Sequence, residues 1–314
     1  MPKRLDDLRI VDPVLSSIAQ GYHNENLIGT NLFPFVPVQN SKGKVPAFGK
    51  EAFIVRNTIR AIRSQSNRIP PSDINYIEFE TDEHDVEMAL DYLEQEEAYN
   101  WQKLESRITK ELMDILLLGL EKEIADLVQN PNNFSSNLKK EITTANAWDD
   151  YTLNNVDPIN DILNAKEAIR QIIGIYPNSI IFGQSAYKAL INHPKVLQKI
   201  EYSGLSKITT EIISQLTEIE NIHIGKTVYS NDGITFQDTW QDNVILAYVD
   251  KSDNSKRSEY NPSYGYTFRK KNNPFIDTYT ENGGKIKVFR ATDNYDVKIT
   301  GSDAAYLIHN TNHL

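Results

Sequence analysis

The chain lacks several features that define common protein classes, beginning with cysteine, of which its 314 residues contain none. This absence excludes disulfide bonds, thiolate metal sites and cysteine nucleophiles. No stretch approaches the roughly eighteen consecutive apolar residues of a membrane-spanning helix, and residues 1–10 lack the apolar core of a secretory signal. We therefore expect no membrane partner and no export from the cytoplasm of the cell that makes the protein. Its stability has to come from packing or assembly.

An excess of basic residues is also missing. Lysine and arginine number 33 against 43 aspartates and glutamates, which gives a net charge of -10. A dedicated nucleic-acid binder of this size would carry the opposite sign. The hydrophobic fraction of 39% is sufficient for a substantial core, and the length predicts about two domains.

Catalytic signatures are absent as well: the sequence has no GxxxxGK[ST], no GxGxxG after a strand, no HExxH and no GxSxG. His309 and His313 have a spacing found in metal sites, but a frayed tail is the better interpretation. Asp149 and Asp150, and the cluster of Glu94, Glu96 and Glu97, are interpreted as a solvated surface and a helix-terminal charge cluster. We therefore expect no catalytic, cofactor or metal site and no enzymatic function.

Aromatic residues are plentiful, with 16 tyrosines and 3 tryptophans. Tyr264, Tyr266, Tyr279 and Tyr295 fall in predicted strands, where aromatic residues are favoured, and aromatics also suit subunit interfaces. A carbohydrate-active enzyme or lectin that uses these side chains is a more distant alternative.

Helix signals are strong at three places. Apolar residues at three- and four-residue steps predict a helix over residues 99–129, about 46 Å long at 1.5 Å per residue. Asp12 and Pro13 begin a short helix that ends near Gly21, and Asp157 with Pro158 begins another that ends at Gly174.

Two segments between these helices have little capacity for a core. Residues 27–38 are apolar but interrupted by Pro34 and Pro37, which excludes a central strand and predicts an extended arm. Residues 40–91 predict a long two-stranded ribbon that turns through residues 64–72 and needs a partner for stability. Its basic residues between Lys42 and Arg68, beside the acidic stretch 78–87, favour an ionic contact between subunits over DNA binding.

The remaining sequence alternates between strand and helix signals, so the fold class is α+β. Strands are predicted at 179–182, 222–229, 244–249, 264–269, 275–279, 286–290 and 295–299, helices at 184–192 and 209–216, and a tight hairpin turn at 281–284.

This order of elements resembles the major capsid proteins of tailed bacteriophages, whose shell fold is shared with encapsulins. Several stretches are similar to local patterns of that family: Tyr22-His23-Asn24-Glu25-Asn26-Leu27-Ile28, Leu32-Phe33-Pro34, Lys44-Val45-Pro46-Ala47-Phe48-Gly49-Lys50, Leu116-Leu117-Leu118, Ala125-Asp126-Leu127-Val128, Ala147-Trp148-Asp149-Asp150-Tyr151, His193-Pro194-Lys195-Val196-Leu197, Tyr264-Gly265-Tyr266-Thr267-Phe268-Arg269, Tyr295-Asp296-Val297-Lys298-Ile299 and Ala304-Ala305-Tyr306-Leu307. The resemblance covers nearly the whole chain.

The resemblance implies a division of the chain into named parts. These are an N-terminal arm (1–38), an extended loop (39–91), a peripheral domain (92–156 and 263–302) with its spine helix (99–129), an axial domain (157–262) and a C-terminal strand (303–309).

The implied function is structural. Copies of the chain would form hexamers and pentamers of an icosahedral head that encloses phage double-stranded DNA without binding it tightly. Assembly would take place in the host cytoplasm, and the protein would end in the virion. An encapsulin-like nanocompartment shell is the principal alternative.

The sequence also departs from some members of the family. Some carry a fused N-terminal scaffolding segment, whereas here the arm begins by Asp12, so we expect no proteolytic removal of the N-terminus. A separate scaffolding protein, a portal and possibly a decoration protein are the implied partners. Lys42, Lys44 and Lys50 lie in the loop, but no catalytic glutamate can be matched, so no isopeptide cross-link is predicted.

Overall fold

A computed structural model of the chain describes residues 10–48, 54–55, 57–68, 75–97, 100–152, 155–201, 208–253 and 257–313. The helices in these ranges are α1 (Pro13–Gly21), α2 (Gly29–Leu32), α3 (Tyr92–Glu97), α4 (Trp101–Gln129), α5 (Pro158–Ile173), α6 (Gln184–Asn192), α7 (Pro194–Glu201) and α8 (Thr210–Thr217). The strands are β1 (Phe35–Val38), β2 (Lys42–Pro46), β3 (Tyr76–Glu80), β4 (Asp82–Asp91), β5 (Lys139–Glu141), β6 (Ser179–Gly183), β7 (Asn221–Gly225), β8 (Val228–Tyr229), β9 (Gln237–Asp238), β10 (Val244–Ala247), β11 (Gly265–Lys270), β12 (Phe275–Glu281), β13 (Ile286–Ile299) and β14 (Ala305–His309).

The first sheet is built around the long strand β13. Its first half pairs antiparallel with both β4 and β12, so these two strands lie on opposite edges of β13. Its second half pairs with β11, and β1 adds to β11 as a parallel edge strand. Pro37 is tolerated in β1 because an edge strand leaves one row of backbone groups unpaired.

The second sheet has the strand order β5, β14, β10, β6, β7. Its central strands β6 and β10 are buried at every position. Continuous burial is typical of strands covered on both faces, and the apolar residues of α5, α6 and α8 belong to the same core as this sheet.

Helix α4 connects the cores of the two sheets. It spans 29 residues from its N-cap Asn100, or about 43 Å. Leu112 and Met113 in its first half pack with α1 and the first sheet, whereas Leu120 and Ile124 in its second half join the core of the second sheet. The two sheets are therefore held by one continuous helix.

Most predicted helices are confirmed, because their ends are set by local capping. Asp12 accepts hydrogen bonds from the first turn of α1, Asp157 caps α5, and Gly174 ends α5 with a positive φ of 68°. Helix α4 was predicted from Tyr99, which lies outside the described residues, and it begins at Trp101. Helix α7 was not predicted; it follows His193 directly.

The prediction for the arm was incomplete. Residues 29–32 form the short helix α2, and Leu32, Phe33 and Val36 are fully buried within their own chain. This segment therefore packs on its own subunit and does not extend away from it.

Three strand predictions were wrong in their extent. The second limb of the ribbon was predicted as one strand, but β4 leaves the ribbon and pairs with β13 along ten residues, because Leu90, with the partly buried Val86 and Met88, faces α4. Residues 286–299 form one strand instead of two. Conversely, residues 222–229 divide at Lys226, and β8 pairs with β9 in a separate hairpin.

A buried carboxylate ties the arm, α4 and the second half of the chain together. Glu121 of α4 accepts hydrogen bonds from the backbone N–H of Ile28 (3.0 Å) and Gly29 (2.6 Å), and from Nε1 of Trp240 (2.7 Å). A Cβ on Gly29 would lie 2.7 Å from the Glu121 carboxylate, so a larger residue would displace it. Burial raises the pKa of Glu121, although its three donors oppose the rise.

We predict that Glu121→Ala destabilises the unassembled subunit by about 3 kcal/mol or more, because each buried donor left without an acceptor costs about 1 to 3 kcal/mol. Glu121→Gln keeps the oxygen that serves Ile28 and Trp240, so the loss should be smaller. Denaturant unfolding of the three proteins measures both differences. Equal stability of wild type and Glu121→Ala would contradict the prediction.

The same comparison has an expected pH dependence. Since the pKa of Glu121 is raised in the folded state, the native chain binds a proton at a higher pH than the unfolded chain does. The stability that this group contributes therefore increases as the pH falls through the raised pKa towards the pKa of an ordinary glutamate, about 4.3. The difference in unfolding free energy between wild type and Glu121→Ala should widen as the pH is lowered.

Candidate interaction surface

The described residues offer little for small-molecule chemistry. Within the ranges given above, no group of three histidine, aspartate or glutamate side chains is arranged to hold a metal ion. None of the helices in those ranges combines the length and apolar character that crossing a membrane requires.

The acidic and histidine residues considered from sequence are engaged in local contacts. His313 Nδ1 lies 2.7 Å from Asp149 Oδ1. Asp150 accepts hydrogen bonds from the backbone and hydroxyl of Thr152, which lower the pKa of Asp150. Glu94 accepts a bond from the backbone of Asp91, 2.9 Å away. These contacts fix a tail, a turn and a helix start, and they do not bring two carboxylates together.

Three of the four tyrosines considered from sequence are core residues. Tyr264, Tyr266 and Tyr295 are buried, and desolvation raises the pKa of each hydroxyl. Tyr279 is partly exposed and donates its hydroxyl to Glu87. A lectin needs aromatic faces that a sugar can reach, so these positions give no support to the carbohydrate-binding alternative.

A cleft of about 640 Å³ lies between the arm, α4 and the second sheet. Two of the cations that line it are already paired, Lys251 with Glu220 at 2.6 Å and Arg269 with Asp293 at 2.7 Å. Glu121 at its wall is occupied by the three donors described above. These three charged groups of the lining are thus already paired within the chain.

The strands β2 and β3 form a separate two-stranded ribbon. Five antiparallel residue pairs join its limbs. Across the limbs Lys44 pairs with Glu78 at 2.5 Å and Lys42 pairs with Glu80, and the bond from Lys44 lowers the pKa of Glu78. These lysines were expected to contact acidic residues of another subunit; they pair within their own chain because the antiparallel register places them opposite glutamates.

The root of the ribbon is anchored by apolar and backbone contacts. Val45 and Phe79 are buried against Phe268, and the rings of Phe79 and Phe268 stack with centroids 4.5 Å apart. The backbone N–H of Phe48 donates to the carbonyl of Thr300 at 2.7 Å. The ribbon therefore starts from a fixed position on the first sheet.

Charged groups surround this root as well. The backbone N–H of Glu80 donates to Asp296, which also lies 3.1 Å from Lys298. Burial, followed by the negative charge of Asp296, raises the pKa of Glu123 on α4. On the strand that continues from the ribbon, His84 stacks on Tyr295 with ring centroids 4.1 Å apart.

At the tip of the ribbon (residues 54–68), the described residues 54–55 and 57–68 are exposed and include four large apolar side chains. Ile54, Val55, Ile59 and Ile62 are 54%, 97%, 83% and 92% exposed. The chain turns at residues 62–63, earlier than the predicted 64–72, and residues 69–72 of that prediction lie outside the described ranges. We did not single out these four residues from sequence. The available signal was a set of apolar residues among arginines, in a segment with no apolar partner.

The arrangement is suited to binding another macromolecular surface. The tip has no acidic residue in residues 54–68 but carries arginines at 56, 60, 63 and 68. Apolar side chains together with arginine are enriched at the centres of protein interfaces. A fixed root and an exposed tip allow the ribbon to present these groups away from its own core.

Comparisons with known proteins agree with this assignment to an assembling protein. The family model of phage major capsid protein E matches residues 35–275. The major capsid protein of Burkholderia phage BcepMu is 43% identical over 311 residues, which cover 98% of this chain and 99% of that protein.

Solved structures share the fold. The crystal structure of a phage-related protein from Bordetella bronchiseptica is 30% identical, with a TM-score of 0.82 over 98% of this chain and 99% of that one. An encapsulin complex from Synechococcus elongatus has a TM-score of 0.53 at 12% identity, over 92% of this chain and 88% of that one, and shares the fold alone. The α+β capsid fold is confirmed. Because the family model matches most of the chain and a capsid protein resembles it over nearly its full length, the chain belongs to the phage major capsid protein E family.

Proposed function

We propose that this capsid protein forms the hexamers and pentamers of an icosahedral head that encloses double-stranded DNA, and that the ribbon of each subunit lies across its neighbour. The observation that carries the second part is the exposure of the ribbon tip. Four large apolar side chains, Ile54, Val55, Ile59 and Ile62, face solvent in the isolated chain.

The energetics favour a subunit neighbour as the surface that covers the tip. Burying one large aliphatic side chain contributes about 1.5 to 3 kcal/mol, so leaving four exposed forgoes considerable stabilisation. A two-stranded ribbon is also marginal without further packing. Contact with an adjacent subunit removes the apolar area from water and supports the ribbon at the same time.

We retain the division of the chain into parts as a proposal. The arm (1–38), the extended loop (39–91), the peripheral domain (92–156 and 263–302), the axial domain (157–262) and the C-terminal strand (303–309) are consistent with two sheets that share α4. The pairing of β4 with β13 supports a loop that ends nearer residue 81.

The role is structural and not catalytic, which the local engagement of Asp149, Asp150 and Glu94 supports. Assembly in the host cytoplasm with a separate scaffolding protein, a portal and a possible decoration protein completes the proposal. Family membership is the basis for these partners.

We predict that replacing residues 50–74 by a short Gly-Ser linker abolishes assembly and leaves a folded subunit. Deleting the longer segment 41–75 would also remove Val45 and Phe48, which pack at the root, so the shorter deletion separates assembly from folding. Sedimentation measures particle formation, and thermal unfolding measures the fold. The midpoint of unfolding should change by no more than about 2 °C, the effect of roughly 1 kcal/mol in a chain of this size.

A full-length control replaces Ile54, Val55, Ile59 and Ile62 by serine. It keeps the length of the ribbon and removes its apolar side chains, so it should also lose assembly. Normal particles from either variant, or a loss of cooperative unfolding in the deletion, would show that the ribbon is not an intersubunit clasp.

We predict that the subunit does not bind DNA tightly. Its net charge of -10 repels a polyanion, and this repulsion recurs at every subunit of a shell. Fluorescence anisotropy with a labelled duplex at physiological salt should show no binding tighter than about 10 µM. Sub-micromolar binding would contradict the prediction.

A further inference from the structure

The hairpin of β8 and β9 is a second exposed projection. Its strands form two residue pairs, Val228 with Asp238 and Tyr229 with Gln237. Residues 231–238 are all exposed, including Ile234 at 83% and Phe236 at 65%. The hairpin buries no apolar residue of its own tip, so packing within the chain does not explain these two side chains.

Side-chain hydrogen bonds nevertheless fix the shape of the hairpin tip. Asp232 Oδ1 accepts from the backbone N–H of Ile234 (2.8 Å) and Thr235 (2.7 Å) and from the hydroxyl of Ser230 (2.9 Å). These bonds lower the pKa of Asp232 well below its usual range, and Gly233 adopts a positive φ of 73°. The tip is thus ordered without a core and presents its apolar side chains in a defined arrangement.

The base of the hairpin is fastened to the body of the subunit. The hydroxyl of Thr227 donates to the carbonyl of Asn26 in the arm at 2.9 Å. Lys122 of α4 lies 4.6 Å from the ring centroid of Tyr229, and Trp240, directly after the hairpin, donates to Glu121. The base of the hairpin is therefore attached to both the arm and α4.

The hairpin and the ribbon tip are complementary in charge and in apolar content. Residues 228–238 contain two aspartates, Asp232 and Asp238, and no lysine or arginine, whereas residues 54–68 contain four arginines and no acidic residue. Both segments expose large apolar side chains. Opposite charges around an apolar centre are the arrangement that gives a protein interface its specificity.

We propose that the ribbon tip of one subunit docks on the β8–β9 hairpin of a neighbouring copy. The proposal rests on the assembly function proposed above and names the surface that receives the ribbon. A contact between two different patches of identical chains is head-to-tail and closes into rings, as hexamers and pentamers require.

The length of the ribbon allows such a contact. Between Pro46 and Tyr76, the last pair of the ribbon, lie 29 residues. Fourteen residues in each limb reach at most about 46 Å at 3.3 Å per residue, which is about the length of α4. This upper limit is compatible with a contact between the tip and an adjacent subunit.

Cysteine cross-linking tests the proposal directly, because the natural chain contains no cysteine. Two variants carry paired substitutions, Ile62→Cys with Ile234→Cys, and Ile59→Cys with Phe236→Cys. Assembled particles are treated with a short bismaleimide and separated under denaturing conditions. We expect a ladder of covalently linked subunits in particles from at least one pair, and single subunits from each single-cysteine variant.

The unassembled double-cysteine subunit at the same concentration is a further control, and it should give single subunits. Particles that form in normal yield and show no ladder with either pair would overturn the proposed docking and leave the capsid function intact. A wild-type chain that forms no particles even when it is co-expressed with its scaffolding protein would instead overturn the proposed function.

If both cysteine pairs prevent assembly, a charge-reversal cycle tests the proposed docking instead. Arg63→Asp suits the positive φ of 68° at this position, since aspartate tolerates that region, and Asp238→Arg reverses the exposed end of β9. Each single reversal should lower particle yield about tenfold, because the repulsion recurs at every contact. The double reversal should recover most of that loss. A double variant no better than the worse single variant would overturn the proposal.

Discussion

The fold depends on α4, because this one helix forms part of two hydrophobic cores. Its first half packs against α1 and the first sheet, and its second half against the core of the second sheet. Because one continuous helix of 29 residues contributes to both cores, it joins the two sheets in one body. The arm is fixed to the same helix through Glu121, whose carboxylate accepts hydrogen bonds from Ile28, Gly29 and Trp240. A buried carboxylate is unfavourable unless it is fully hydrogen-bonded. Because Glu121 lies on α4 and its donors lie in the arm and at Trp240, these hydrogen bonds hold three segments of the chain together.

This rigid body leaves two projections whose apolar side chains it does not cover. The ribbon root and the hairpin base are both anchored, the first by Phe79 on Phe268 and the second by Thr227 and Trp240. Anchoring matters because a mobile segment would lose conformational entropy on binding, at about 1 to 2 kcal/mol per residue. The anchored root and the anchored base lose less of this entropy. The subunit is thus prepared for repeated contacts with copies of itself.

Sequence predicted the parts of the fold that short-range chemistry controls. The caps Asp12, Asp157 and Gly174 fixed helix ends to within a residue, since a cap acts on its own first or last turn. The pairing of β4 with β13 could not be predicted, because the partners are about two hundred residues apart and the polar alternation of β4 also fits a free ribbon. Glu121 was missed for a similar reason: its donors are remote in sequence. The tip residues Ile54 to Ile62 were visible, but their exposure follows only from a fold that gives them no neighbour.

The charge distribution along the ribbon limits where recognition can occur. Lys42 and Lys44 are paired with Glu80 and Glu78, so the limbs are close to neutral. The arginines of the tip face no acidic residue within residues 54–68, and the chain as a whole carries a charge of -10. A cationic tip is therefore attracted to any neighbouring subunit at long range, whereas its own limbs contribute little to that attraction. Long-range attraction brings the tip to a neighbour, and the apolar contact at short range decides whether it stays. The intrachain pairs of Lys42 and Lys44 thus have a consequence for assembly, since they direct the specificity of the ribbon to its tip.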